Sequence, residues 1–165
     1  MKKQLLNIQH RKSTDINDKF YTPLPLAIKL IEMTNIQPLD IVLDPSKGLG
    51  VFYDNLPECS KDWCEIEENI DFYKYTNNVD VIIGNPPFSQ WTKWIKKTIE
   101  LNPKKIAYVI GCLNLTKSRI KLLQSHNYFL TKFTIVSVNK WFSQTYLVVF
   151  EKNATPIIDL ITENY

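Results

Sequence analysis

The apolar positions of this chain come in short runs that alternate with helical stripes. Ala27, Leu30, Ile31 and Thr34 recur at helical spacing, which predicts a helix running to about Asn35. Thr22 is its expected N-cap, and Pro23 and Pro25 suit a first turn. Leu39 to Leu43 reads as a buried strand that stops at Asp44-Pro45. Val51 to Leu56 fits a short helix and Asp62 to Ile66 a second strand. Val79 to Ile83 is another buried strand, halted by Gly84-Asn85-Pro86-Pro87. A helix follows with Trp91, Trp94, Ile95 and Ile99 on its inner stripe, closed by Asn102-Pro103. Ile106 to Ile110 predicts a strand and Thr116 to Ser125 a helix. Phe133 to Val138 and Thr145 to Phe150 then read as an antiparallel hairpin.

Strands alternating with helices predict a mostly parallel α/β sheet, which binds ligands at the carboxyl ends of its strands. Asp44, Glu65 and Asn85 each close an expected strand, so all three should face one edge. Met1 to Lys19 is polar, basic and aperiodic, and reads as a flexible arm without the apolar stretch of a signal peptide. Residues 20–152 form the expected catalytic domain and 153–165 a tail or a short docking helix.

Composition narrows the class. With 44% hydrophobic and 22% charged residues, the 165-residue chain has the balance of a single globular domain. Three cysteines without a CxxC pair and two histidines argue against a disulfide framework and against a bound metal. No apolar run is long enough to span a membrane, and a cytoplasmic protein is expected. A net charge of +3 is compatible with a phosphate-bearing partner without requiring one.

Two motifs carry chemistry. In Asp44-Pro45-Ser46-Lys47-Gly48-Leu49-Gly50-Val51-Phe52, the glycines permit a tight turn and close approach of a ligand to the backbone. The strand-end acid can hold an ammonium, and the expected helix would offer free N–H groups. The Walker pattern is missing, so an amino-acid moiety fits better than a triphosphate. An ordinary strand-turn-helix is the alternative reading. The second motif is Asn85-Pro86-Pro87-Phe88. Both prolines lack an N–H, so this turn is a stiff ledge rich in acceptors. Such a ledge suits a neutral amine, and Phe88 offers a face on which a base can stack.

In this order the two motifs resemble those of the amino-methyltransferases that modify adenine N6, above all the short phage-type DNA adenine methyltransferases. The resemblance covers roughly Phe20 to Lys152. It implies a Rossmann-like methyltransferase fold and S-adenosylmethionine as the cofactor, with S-adenosylhomocysteine as product and no metal. It further implies that Tyr21, Thr22 and Pro23 line the cofactor site with Asp44, Pro45, Ser46, Gly48, Gly50 and Phe52. Glu65 matches the acid that holds the ribose hydroxyls, with Glu67 and Glu68 as rivals, and Asp71-Phe72 the pair at the cofactor's adenine. Asn85, Pro86, Pro87 and Phe88 match the catalytic motif, and Trp141-Phe142 the aromatic pair that braces a flipped base.

The interval from Glu65 to Asp80 is too short for the family's usual helix and third strand, so the fold should lack them. No segment is large enough for a separate recognition domain. Specificity must then be low, or come from loops, a homodimer or a recognition partner. The implied activity is N6 methylation of adenine in DNA. RNA adenine methylation, glutamine methylation of a protein and an inactive binding subunit are the competing readings. Trp91 and Trp94 are expected in the core. Lys93, Lys96 and Lys97, like Lys117, Arg119 and Lys121, read as solvated helix faces or as phosphate contacts.

Overall fold

The computed structural model describes residues 21–138 and 144–158. Six strands form one sheet: β1 (Ile41–Asp44), β2 (Ser60–Trp63), β3 (Val81–Gly84), β4 (Lys105–Gly111), β5 (Tyr128–Val136) and β6 (Thr145–Lys152). Their order is β2-β1-β3-β4-β6-β5. The first four are parallel, and β6 enters antiparallel between β4 and β5. Among the described residues three α-helices cover the faces: α1 (Leu24–Thr34), α2 (Trp91–Glu100) and α3 (Lys117–Gln124). This is the expected Rossmann-like plan with its C-terminal hairpin.

The central strands are apolar throughout because both of their faces are buried. Val42, Val81, Ile83 and Val109 pack with Ala27 and Leu30 of α1. Their alternate neighbours Leu43, Ile82, Ile106 and Tyr108 pack with Trp91, Trp94 and Ile95 of α2 and Leu123 of α3. One polar pair sits inside this second layer. The Thr98 hydroxyl donates to the Trp94 carbonyl at 3.1 Å and lies 2.7 Å from the Tyr108 hydroxyl, so neither pays an unmet desolvation cost. Lys97, expected on a solvated face, is instead buried, with its ammonium 2.7 Å from Glu100. Its aliphatic stem covers the helix end while the charge finds a partner.

Several elements depart from the sequence expectation for local reasons. Thr22 is buried and does not cap α1; Pro23 is the N-cap, and its carbonyl accepts from Leu26 and Ala27. β1 starts at Ile41 because the Asp40 carboxylate closes a turn onto the Gln37 N–H at 2.8 Å, which leaves Leu39 exposed. β2 starts earlier and is polar, and it ends before Glu65, whose side chain caps a 3-10 turn at Ile66–Glu68. The helix expected over Val51 to Leu56 is only a 3-10 turn, Tyr53–Asn55, since Pro57 leaves no room for a second turn. β5 begins at Tyr128, well before Phe133, and absorbs a register shift between Leu130 and Lys132. Between β2 and β3 there is no strand or α-helix, only the 3-10 turns Ile66–Glu68 and Phe72–Lys74.

The C-terminus of α1 is satisfied from the sheet. Asn35 is left-handed at φ 51°, and the Lys105 ammonium donates to the Thr34 and Asn35 carbonyls at 3.1 and 2.9 Å. Cations at a helix C-terminus also offset its partial negative charge. Lys105→Met should therefore cost about 1 kcal/mol, read as a fall of roughly 2–4 °C in Tm by thermal denaturation. An unchanged Tm would show that the lysine contributes nothing to the docking of α1.

Candidate functional site

Parallel strands β1, β2 and β3 deliver their carboxyl ends to one edge. Asp44 is the last residue of β1, Asn85 follows β3 directly, and Glu65 lies two residues beyond β2. The loop after β1 is built on two left-handed glycines, Gly48 at φ 53° and Gly50 at φ 82°. At φ 82° a residue with a Cβ would be strained, so the backbone conformation demands glycine at position 50. The loop is stitched to β2, where Lys47 N–H donates to the Cys64 carbonyl at 2.9 Å and Cys64 N–H to the Asp44 carbonyl at 2.8 Å.

Glu65 acts as a second stitch. One carboxylate oxygen accepts from the Gly48 N–H at 2.7 Å and the other from the Glu67 N–H at 3.2 Å. Its rivals part company. Glu67 reaches the cavity described next, whereas Glu68 is drawn to the Lys47 ammonium at 3.1 Å. Lys47 in turn lies 3.4 Å over the Trp63 ring.

These elements surround a cavity of about 910 Å³. Of the residues singled out in the sequence, Tyr21, Thr22, Pro45, Ser46, Gly48, Phe52, Glu65, Asp71, Phe72, Asn85 and Pro87 line it. Pro23, Asp44, Gly50, Pro86 and Phe88 do not. Among the described residues, four carboxylates, Asp54, Glu65, Glu67 and Asp71, face the cavity against one cation, Lys47. An acidic cavity repels polyphosphates and favours a ligand rich in hydroxyls or positive charge. Asp71 also accepts from the Tyr73 N–H at 2.9 Å and so caps the turn that presents Phe72. Phe72 stacks on Trp94 with centroids 4.5 Å apart, and Tyr73 meets the same indole edge-on.

Sequence reasoning missed Lys47, Asp54, Tyr73, Gln90 and the double role of Trp94. Trp94 is a core residue as expected, yet its surface forms part of the cavity wall. The aromatic run Phe72-Tyr73 beside an indole was the available signal.

The ledge abuts the same cavity. The Ser46 hydroxyl donates to the Asn85 main-chain carbonyl at 3.1 Å, which joins the glycine loop to the ledge. The Pro87 carbonyl is consumed by the Gln90 N–H at 3.1 Å, so it is not an outward acceptor as the sequence suggested. A 3-10 turn at Phe88–Gln90 requires that bond. The Pro86 carbonyl accepts no bond among the described residues. Gln90 also accepts from the Tyr73 hydroxyl at 2.9 Å, a direct tie between cavity wall and ledge. Trp141 and Phe142, together with Phe20, lie outside the described residues. Among the described residues no group of three or more His, Cys, Asp or Glu could hold a metal ion, and no helix is long and apolar enough to cross a membrane.

No protein-family model matches the chain, and no curated protein matches it in sequence. Solved structures do share its fold. The 23S rRNA methyltransferase ErmE superposes with a TM-score of 0.61 over 86% of this chain and 72% of that one, at 13% identity. The precorrin-6y C5,15-methyltransferase from Geobacter metallireducens gives 0.62 over 85% and 94%, at 12% identity. The structure of aTrm5 with tRNALeu gives 0.64 over 84% of this chain at 17% identity, and this chain spans 49% of that one. The chain has the Rossmann-like methyltransferase fold.

Within this methyltransferase fold, Asp44 holds an unusual place. Its side chain is wholly buried, behind the loop and not on the cavity wall. A Cβ on Gly84 would stand 3.1 Å from this carboxylate, so the neighbouring strand closes tightly against it. One oxygen accepts from the Ser46 N–H at 3.2 Å; the other has no hydrogen-bond partner among the described residues. Burial pushes its pKa up to about 7, against the pull of the Ser46 and Tyr53 N–H groups. The folded chain thus holds a proton that the unfolded chain has released between about pH 4 and pH 7. Asp44 should make stability fall as pH rises through that window, with the loss complete above it. Asp44→Asn should remove this slope and raise Tm at pH 8 by several degrees relative to the parent, roughly 2–4 °C per kcal/mol. Thermal melts of both proteins at pH 5, 6 and 8 check it. Parallel curves across that range would refute the assignment.

Proposed function

We propose that this chain transfers a methyl group from S-adenosylmethionine to the N6 amine of adenine in DNA. One observation carries the reading: Asn85 and Pro87 border the same cavity as the glycine loop and the strand-end acids, with Ser46 bonded across the junction. The donor set fits the cofactor. Glu65, Asp71 and Glu67 are acceptors for hydroxyls and positive charge, and Phe72 with Trp94 gives a flat apolar wall for a base. When bound, S-adenosylmethionine supplies a methyl group already activated by positively charged sulfur and departs as S-adenosylhomocysteine.

The protein's task is then to position and polarise. Adenine N6 is a poor nucleophile because its lone pair is delocalised into the ring. The Asn85 side-chain oxygen and the Pro86 carbonyl would accept its two N–H bonds and favour a pyramidal nitrogen. Asn85 and Pro86 would hold N6 toward the methyl group that the cofactor supplies, and the extra proton on N6 would then leave to water. The two acceptors stabilise the positive charge that grows on N6 during transfer. Phe88, half-buried and outside the cavity wall, is left to stack on the base instead of the cofactor. Stacking there offsets part of the cost of extruding the base, about a few kcal/mol.

RNA is the second reading, favoured by the names of two structural matches, an rRNA methyltransferase and a protein in complex with tRNA. The test is transfer of radiolabelled methyl to duplex DNA, single-stranded DNA and RNA, with nucleoside analysis of the product. The expected result is label in DNA as N6-methyladenine. Asn85→Ala should lower kcat by about 100-fold or more while calorimetry shows cofactor binding retained. Label confined to RNA would move the substrate, and a mutant with the parent's rate would overturn the ledge mechanism.

A further inference from the structure

Beside the ledge, one strand over on the same edge, lies a second hollow. It measures about 410 Å³ and is lined by Thr92, Leu113, Thr116, Ser118, Arg119 and Leu122. It sits between the first turn of α2 and the loop that leaves β4 for α3. Arg119 is not the solvated helix residue that its sequence suggested. The residue is half-buried, and one terminal nitrogen of its guanidinium donates to the Leu113 carbonyl at 3.1 Å and to the Asn114 side chain at 2.7 Å. Those bonds fix the planar fork at the wall of the hollow and leave its remaining N–H groups without a partner among the described residues. The Thr116 and Ser118 hydroxyls, 3.2 Å apart, and that of Thr92 complete a polar lining, and Leu113, 82% exposed, provides an apolar lip.

The surroundings share the sign of Arg119. α2 and α3 together carry six cations, Lys93, Lys96, Lys97, Lys117, Arg119 and Lys121. Their single acid, Glu100, is engaged with Lys97. The two helices thus hold more net positive charge than the whole chain, whose net charge is +3. Lys96 lies one helical turn beyond Thr92 on the same face. The polarity is opposite to that of the acidic cavity on the other side of Asn85. A fixed guanidinium fork with hydroxyls, under a positive potential, is chemistry for one phosphate group.

We propose that this hollow is a subsite for a backbone phosphate of the DNA strand that carries the target adenine, with Arg119 as the contact. The inference rests on the methylation reading above, because only that reading brings a DNA strand to this edge. A phosphate held here fixes the strand one step from the ledge. It should therefore act on KM for DNA and leave turnover at saturating DNA unchanged.

The experiment measures binding of the full chain to an adenine-containing duplex by fluorescence anisotropy from 50 to 300 mM KCl, with steady-state methylation alongside. Arg119→Gln removes the contact, but it also removes the loop bonds. Thr92→Glu keeps those bonds and places a carboxylate in the hollow at an exposed helix position. Lys29→Gln, on the opposite face of the sheet, is the control for general loss of charge. Arg119→Gln should raise KM for DNA about tenfold and lessen the slope of log K against log salt by about one. Thr92→Glu should also raise KM about tenfold, and Lys29→Gln should stay within about twofold. The proposal falls if Thr92→Glu binds like the parent, whatever Arg119→Gln does, or if Lys29→Gln weakens binding equally. Failure of the parent reading looks different: DNA would bind and respond to these variants, and no methyl group would be transferred.

Discussion

A single buried carboxylate constrains everything at the working edge of this sheet. Asp44 ends β1 with its side chain sealed beneath the loop it begins. It survives there because Ser46 turns its N–H inward and because Gly84 on the neighbouring strand has no side chain; a Cβ would come within 3.1 Å of the carboxylate. Glycine at the end of β3 therefore serves Asp44 as much as it serves the ledge that follows. The cost of burying this acid falls on stability, and its benefit falls on the geometry of two adjacent loops.

Around that acid the site is held by side-chain ties where larger sheets use secondary structure. The glycine loop has a single 3-10 turn behind it, so no helix dipole supports it. Glu65 takes over by accepting from Gly48, and Lys47 is clamped between Trp63 and Glu68. The missing helix between β2 and β3 is replaced by Phe72, Tyr73 and Trp94, which close the cavity wall by stacking. The Tyr73–Gln90 bond then carries the order of that wall to the ledge.

The fold was largely legible because its central strands are short apolar runs stopped by Asp44-Pro45 and Gly84-Asn85-Pro86, which leave little doubt about where chain direction changes. Edges were harder. β2 is the polar segment Ser60–Trp63, with no hydrophobic pattern to mark it, and its place comes from pairing with β1 alone. The motif residues of the cavity were legible because glycine, acid and proline have local conformational meaning. Lys47, Asp54 and Gln90 were not, because they lie within or just beyond those motifs and nothing in their local spacing marks a lysine, an acid or an amide as turned into the cavity. Lys97 shows the same limit: its charge suggested solvent, and only tertiary packing reveals that its stem is covered.

The brevity of β2 has a consequence for how molecules of this protein meet one another. An outermost strand offers unpaired peptide groups to any passing chain. Here that strand has four residues and an outward lysine, Lys61, folded back onto the Tyr53 ring and carbonyl. So small and charged a border gives a foreign strand little to align with. The opposite border, β5, is longer and more apolar, but the irregularity between Leu130 and Lys132 breaks its even spacing, and Lys132 is turned across to the Met33 carbonyl. The sheet thus ends on both sides in a way that discourages growth from molecule to molecule.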